Sequence, residues 1–343
     1  MISSQETSAL ATEAATCDTA SVTTPPATPS RDPGHAPVML AEVLAGLNVV
    51  PGDVALDCTA GRGGHASLLA TAAGDDGTMV LCDLDPENLD FATERVRATG
   101  PIRVTPFQGS FARVPRDLRA EGLLANAVLA DLGFASTQID DPARGFSFMR
   151  EGPLDMRMDP TGGITAAEIL AGSDEQELTR IIREYGEEPL ARRIAQNVVR
   201  QRADEPILTT ADLAGLVRSA YGQRAASSRL HPATRTFQAL RIAVNDEFGA
   251  LDGLLRQIME AAEAIGADRP TWLADGARVA FLTFHSLEDR RVKRAFVELD
   301  RRGLGSQPAR MPILPSETEI ATNSRSRSAK LRVATVGGRS GQI

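Results

Sequence analysis

The sequence predicts an α/β protein, a doubly wound parallel sheet with an all-helical module inserted in it. Three observations carry this reading. Short apolar strands alternate with amphipathic helices through the first half of the chain. A glycine cluster follows the first strand in "ALDCTAGRGGHAS", residues 55–67. Between about residues 160 and 225 the strand pattern stops and only capped helical segments remain.

The elements follow in order. "PVMLAEVLAGLNVVPGD" places Val38, Leu40, Val43, Leu44 and Leu47 on one helical face and stops at Pro51-Gly52. "VALDC" (54–58) is a short apolar strand, followed by the glycines and a helix through "HASLLATAA". "TMVLCD" (78–83) is the second strand, and "PENLDFATERVRATG" a helix with Pro86 in its first turn. "IRVTPFQG" and "NAVLADLG" supply the third and fourth strands. In the helical stretch, Ser173 with Gln176 and Thr209 with Asp212 read as capping boxes. One long helix carrying Phe237, Leu240, Val244, Phe248, Leu251, Leu255 and Ile258 leads back to "RVAFLTF", a fifth strand. "KLRVATV" is the closing strand. The expected division is a disordered tail over 1–33, a first part of the sheet domain over 34–145, a helical insertion over 146–235 and the return over 236–343.

Composition limits the function classes. Of 343 residues, 42% are apolar and 24% charged, the balance of a soluble globular protein. No apolar run approaches the ~20 residues of a membrane-spanning helix. The N-terminus lacks the basic and apolar regions of a secretory signal. Cys17, Cys58 and Cys82 lie far apart with no C-x-x-C pair, which argues against zinc or a disulfide framework and fits a reducing cytoplasm. The net charge of −8 opposes nonspecific nucleic-acid binding, and no DNA partner is expected. Two basic concentrations stand out against it. One is "PLARRIAQNVVRQR", with Arg192, Arg193, Arg200 and Arg202. The other runs from Ser324, with Arg325, Arg327, Lys330, Arg332 and Arg339. Local patches on an acidic chain fit docking on a defined RNA.

The glycine loop is the first strand–helix turn, where doubly wound sheets bind ligands. Gly61 permits the turn, and Gly63 and Gly64 are expected to let a ligand approach bare backbone beside helix-start N–H groups. An acid ending the second strand clamps ribose hydroxyls; Asp83 stands there, with Asp85 as its rival. The G-x-G-G pattern, in place of G-x-G-x-x-G, favours S-adenosylmethionine over NAD.

The segments "HAPVMLAEVL", "GRGGH", "RGFSFMREGPLDMRMDP", "HPATRTFQALRIAVNDE", "FHSLEDRRVKR" and "SRSAKLRVA" together resemble the ribosomal RNA small subunit methyltransferase H family, from about His35 to Val336. The resemblance implies a class I S-adenosylmethionine-dependent methyltransferase fold with a helical insert. It also implies N4-methylation of a cytosine in the decoding region of 16S ribosomal RNA, an activity the family names for cytosine 1402. It places cofactor contacts on Gly63, Gly64, His65, Asp83, Phe111, Asp131 and Gln138. The partner implied is 16S rRNA in the small ribosomal subunit.

Cytosine N4 is a weak nucleophile because its lone pair is delocalised, so an enzyme must accept its N–H bonds and align it. "DLGFAST" follows the fourth strand, where related amino-methyltransferases hold their catalytic side chains. Asp131 is the candidate acceptor, and Phe134, Phe146 and Phe148 are candidate base-stacking rings. The family's Ser-Ser-Pro run is replaced here by Ala135, Ser136 and Thr137. His285, Glu288 and Asp289 offer too few ligands for a metal, and none is expected. Arg235 and Arg241 are candidates for phosphate contact. Two rival readings share these features: an RNA-binding protein with a vestigial methyltransferase site, and a nicotinamide oxidoreductase.

Overall fold

The computed structural model describes residues 37–227 and 231–338, the side chains of Ser136, Ala226 and Ser227 excepted. The expected tail over 1–33 and Arg339 of the basic C-terminal segment lie outside the described residues. From His35 onward the chain forms one compact unit.

The first half is built as strand–helix units. In order they are α1 (Leu40–Leu47), β1 (Val54–Asp57), α2 (Gly64–Ala73), β2 (Thr78–Asp83), α3 (Pro86–Arg97), β3 (Arg103–Gln108), α4 (Val114–Ala120), β4 (Ala125–Asp131) and α5 (Ser136–Asp140). Five helices follow without a strand: α6 (Ala166–Gly172), α7 (Glu175–Gly186), α8 (Ala191–Asp204), α9 (Thr210–Tyr221) and α10 (Ala233–Asn245). The chain returns through α11 (Glu247–Gly266), β5 (Leu273–Thr283), α12 (Ser286–Arg301), β6 (Gly305–Ser306), α13 (Glu317–Thr322) and β7 (Lys330–Val336).

The seven strands form one sheet in the order β3-β2-β1-β4-β5-β7-β6. The strands β1 to β5 pair in parallel, whereas β7 runs antiparallel between β5 and the two-residue β6. This order with one reversed strand is that of the class I methyltransferase fold. Strand side chains alternate between two cores, because successive residues point to opposite faces. Leu56, Val80, Val128 and Phe281 meet α4, α11 and α12 on one face. Ala55, Leu81, Leu129 and Leu282 meet α1, α2 and α3 on the other. With both faces covered, the polar ends of the strands are the places left for a ligand. Helices α6 to α10 enclose a third apolar core, which draws on α10 as far as Val244.

Two local expectations change. The long returning helix is broken at Asp246, whose backbone is left-handed (φ 47°, ψ 41°), giving α10 and α11. Asn245 explains the break. Its Oδ1 accepts from the Met158 amide at 2.7 Å, and its Nδ2 donates to Met156 O at 2.8 Å, so the side chain holds a distant loop. Apolar periodicity runs straight through the break and conceals it. The cap of α7 is Asp174, whose Oδ1 accepts from the Glu177 amide at 2.8 Å; Ser173 ends α6 instead. The Thr209–Asp212 capping box of α9 is present.

Candidate active site

Three neighbouring parallel strands, β1, β2 and β4, end on aspartates: Asp57, Asp83 and Asp131. Beside them opens a cleft of about 460 Å³, running from the glycine loop, past the end of β4, to the junction of α10 and α11. Burial pushes Asp57 up to about 7, against the opposing hydrogen bond from the Thr59 amide. It pushes Asp83 up to about 6, against hydrogen bonds from the Asp85 and Gly61 amides. Asp131 rises to about 8, chiefly through burial, with repulsion from Asp57 and Glu288 adding to it. Like charges crowded with little water share protons reluctantly given up.

Asp83 holds the loop: its Oδ2 accepts from the Gly61 amide at 2.7 Å and its Oδ1 from the Asp85 amide at 2.9 Å. It lines the cleft, as do Gly61, Gly64, His65, Phe111, Asp131 and Gln138. Asp85 does not line it. Asp85 caps α3 through the Glu87 amide, and its Oδ2 receives Gln138 Nε2 at 3.0 Å and Arg144 Nη1 at 2.9 Å. Of the two rival acids, Asp83 is the one at hand for a ligand.

Two of the glycines have a packing reason of their own. Gly63 lies outside the cleft lining. Its backbone is left-handed (φ +72°), and a Cβ there would stand 3.0 Å from Ala92 Cα in α3. A Cβ on Gly64 would meet Pro37 Cγ at 2.6 Å. Both therefore secure close packing, of α3 and of the segment before α1, while Gly61 and Gly64 line the cleft.

His65 is buried, 6% exposed, in the first turn of α2. Its Nε2 lies 3.0 Å from Val38 O and its Nδ1 3.6 Å from Asp131 Oδ2. Burial lowers its pKa to about 4, more than the Val38 bond raises it. With His65 neutral and Asp131 holding its proton to about 8, the contact is between neutral groups near pH 7 and is no ion pair. The other carboxyl oxygen, Asp131 Oδ1, is buried with no partner among the described residues. Gln138 is spent on the protein itself: Oε1 accepts from the Ala135 amide at 2.9 Å and Nε2 donates to Asp85. It braces the loop after β4, where Ala135 to Thr137 replace the family's usual run.

At the far end of the cleft stand Phe134, Arg241, Asn245, Glu247, His285 and Glu288. Arg241 is buried, 8% exposed, and clasps Glu247 through Nε (2.7 Å) and Nη2 (2.8 Å). Its guanidinium lies 4.7 Å from the Phe134 ring centroid. Burial nonetheless holds the Glu247 carboxyl above its usual value. Glu288 is also buried, but the hydrogen bond and charge of His285, with help from Arg241, outweigh desolvation and keep it low. Arg241 is thus no surface phosphate contact, and Arg235 donates to Glu187 O at 3.3 Å. Of the three candidate rings only Phe134 reaches the cleft. Phe146 stacks behind it at 5.9 Å, and Phe148 stacks on His231 at 4.4 Å within the helical core.

Sequence reading missed Asp57, Asn245 and Glu247. Asp57 had a visible signal, an acid ending a strand next to two others that do the same. Glu247 had none, since its partner is set by the break at Asp246. The basic segments are also sorted. Arg192, Arg193 and Arg200 are exposed on α8, whereas Arg202 donates to the carbonyls of Leu170 and Ser173. Arg332 and Lys330 are committed to Asp289, and Arg325 reaches the cleft. Among the described residues no group of three His, Cys, Asp or Glu side chains is placed to hold a metal.

A class I sheet with an acid-tipped cleft at its carboxyl edge defines a methyltransferase architecture. The profile of the MraW methylase family matches residues 32–336, and the chain belongs to that family. It is 44% identical over 300 residues to a Ribosomal RNA small subunit methyltransferase H of Cyanothece sp., covering 88% of this chain and 94% of that one. A protein of the same name from Geobacter sulfurreducens is 43% identical over 318 residues, covering 88% and 98%. S-adenosyl-L-methionine is the methyl donor of this family.

Proposed function

We propose that the protein methylates N4 of a cytosine in the decoding region of 16S rRNA, with the small ribosomal subunit as its substrate. The observation that carries this reading is Asp131: a carboxyl at the end of β4 with a buried, unpartnered Oδ1, in one cleft with the glycine loop and Phe134. The names of the relatives agree with the substrate.

The cleft fits S-adenosylmethionine. Asp83 would hold its ribose, Phe111 lie against the adenine, and the Gly61–His65 loop receive its amino-acid end. When bound, the cofactor supplies an electrophilic methyl group on a cationic sulfonium. The residues of this chain do the rest. Asp131 accepts an N–H of the target amino group through Oδ1, which localises the nitrogen lone pair and turns it toward the methyl. His65, fixed by Val38, sets its Nδ1 3.6 Å from the other oxygen of Asp131. Phe134 closes the outer side and keeps water from the reacting atoms. The exposed arginines of α8 face the rRNA backbone, where phosphate contacts set register and base contacts set identity.

The test is to incubate the protein and labelled S-adenosylmethionine with small subunits lacking the modification, then digest the RNA and analyse its nucleosides by mass spectrometry. N4-methylcytidine in the decoding-region fragment is the expected product. Cofactor binding without transfer to subunits or naked rRNA would overturn the reading in favour of an RNA-binding protein.

A further inference from the structure

The far end of the cleft raises a question that methyl transfer alone does not answer: which group recognises the base. Its polar side chains can be taken in turn. Asn245 is used up, with Oδ1 bound to the Met158 amide and Nδ2 to the carbonyls of Met156 and Arg241. His285 faces Glu288: the Glu288 amide approaches its Nδ1 at 3.4 Å, and its Nε2 stands 3.0 Å from Oε1 but outside hydrogen-bonding geometry, on the element after β5 and not against Phe134. Glu288 receives the amides of Phe284 and His285. Glu247 is clasped at both oxygens by Arg241.

Arg241 offers a donor whose direction the protein fixes. The bidentate grip uses Nε and Nη2, which leaves Nη1 on the opposite side of the guanidinium, with no acceptor among the described residues. The group is fixed in orientation by Glu247 and against the ring of Phe134, three residues beyond Asp131. A guanidinium carries donors only and meets acceptors. Cytosine with its amino group on Asp131 presents one acceptor that uracil lacks, the ring nitrogen N3; uracil carries N–H there. A fixed donor accepts the first base and repels the second.

We infer that Arg241 is a specificity-determining contact that donates from Nη1 to N3 of the target cytosine. This deepens the reading of the site as a cytosine-N4 methyltransferase and rests on it.

A cycle between protein and base tests it. Small subunits are reconstituted with cytidine or with 3-deazacytidine, which has C–H in place of N3, at the target position. The ratio of kcat/KM on the two substrates is measured for the wild type and for Arg241→Gln combined with Glu247→Gln, which avoids a buried unpaired carboxylate. Intrinsic differences between the two bases cancel in the cycle. The wild type is expected to lose about tenfold or more on the deaza base, the size of one hydrogen bond to a charged donor. The double variant is expected to show little further loss. An equal loss in both proteins, or no loss in the wild type, overturns the inference. Cofactor affinity, measured by calorimetry, is expected to be unchanged and shows that the variant is folded; if it is not folded, Arg241→Lys is used in the same cycle. Failure of the wild type on unmodified subunits removes the underlying reading, and the inference with it.

Discussion

His65 donates Nε2–H to the carbonyl of Val38 at 3.0 Å, and by doing so turns a bare Nδ1 toward Asp131, 3.6 Å away. The tautomer follows from the acceptor, since a carbonyl can only receive a proton. The imidazole thus faces a carboxyl that holds its proton, and neither group is charged near pH 7.

Asp131 titrates near 8 in the unliganded cleft, so its accepting carboxylate is the minority form at neutral pH. The kcat/KM for S-adenosylmethionine, which reports the unliganded enzyme, is expected to rise with pH through a midpoint of about 8 and level off above it. Asp131→Asn should flatten that limb and lower kcat by roughly 10²–10³-fold. Undiminished turnover of the variant at saturating cofactor would remove Asp131 from the chemistry.

Asp57 makes the fold pH-sensitive. Its carboxyl is raised from 3.8 to about 7 in the folded protein. A raised carboxyl stabilises in full below its unfolded value and loses that contribution as pH climbs through the folded one. The contribution of Asp57 should therefore be full below about pH 4 and be lost as pH rises through about 7. Asp57→Asn should raise Tm at pH 8 by several degrees, about 1–2 kcal/mol, and leave it unchanged at pH 4. Parallel melting curves for both proteins at both pH values would contradict this.

Asp83 and Asp85 stand two residues apart and should fail in different ways. Asp83→Asn removes a cleft carboxylate and should weaken cofactor binding about tenfold or more while folding is retained. Asp85→Asn weakens the Arg144 ion pair, in which the carboxylate is 3% exposed, and should lower Tm more than cofactor affinity. Calorimetry and melting on the two variants decide it; the reverse pattern would make Asp85 the ribose contact.

The arginines of α8 serve affinity without chemistry. Arg193→Glu with Arg200→Glu should weaken subunit binding, and reduce the slope of log affinity against log salt by about two. Cofactor binding should not change. An unaltered salt slope would take this face off the RNA.

Much of the sheet was legible because β1, β2, β4 and the C-terminal half of β5 are short apolar runs, a local signal; the first half of β5, Leu273 to Ala277, is broken by exposed and half-buried residues and was not. Asp83 and Asp131 were legible for the same reason, as acids at strand ends. What escaped depends on distant partners. The break at Asp246 rests on Asn245 reaching a loop 87 residues away in sequence. The glycines were visible, but the neighbours that require them, Ala92 and Pro37, were not. Phe148 was a candidate base-stacking ring, and the helical core took it instead.

Arg144 ties the turn after β2 to the chain leading into the helices. Its Nη1 holds Asp85 at 2.9 Å and its Nη2 holds the carbonyls of Arg157 and Met158 at 3.0 and 2.8 Å. Asn245 grips the same short stretch from the opposite side. The helical segment is therefore not modular in the engineering sense: cutting it out would strip the Arg144 guanidinium of the carbonyls of Arg157 and Met158, and the Asn245 amide of Met156 and Met158. Trimming the enzyme to a minimal catalytic half would yield insoluble protein, and the two halves should share a single cooperative melting transition.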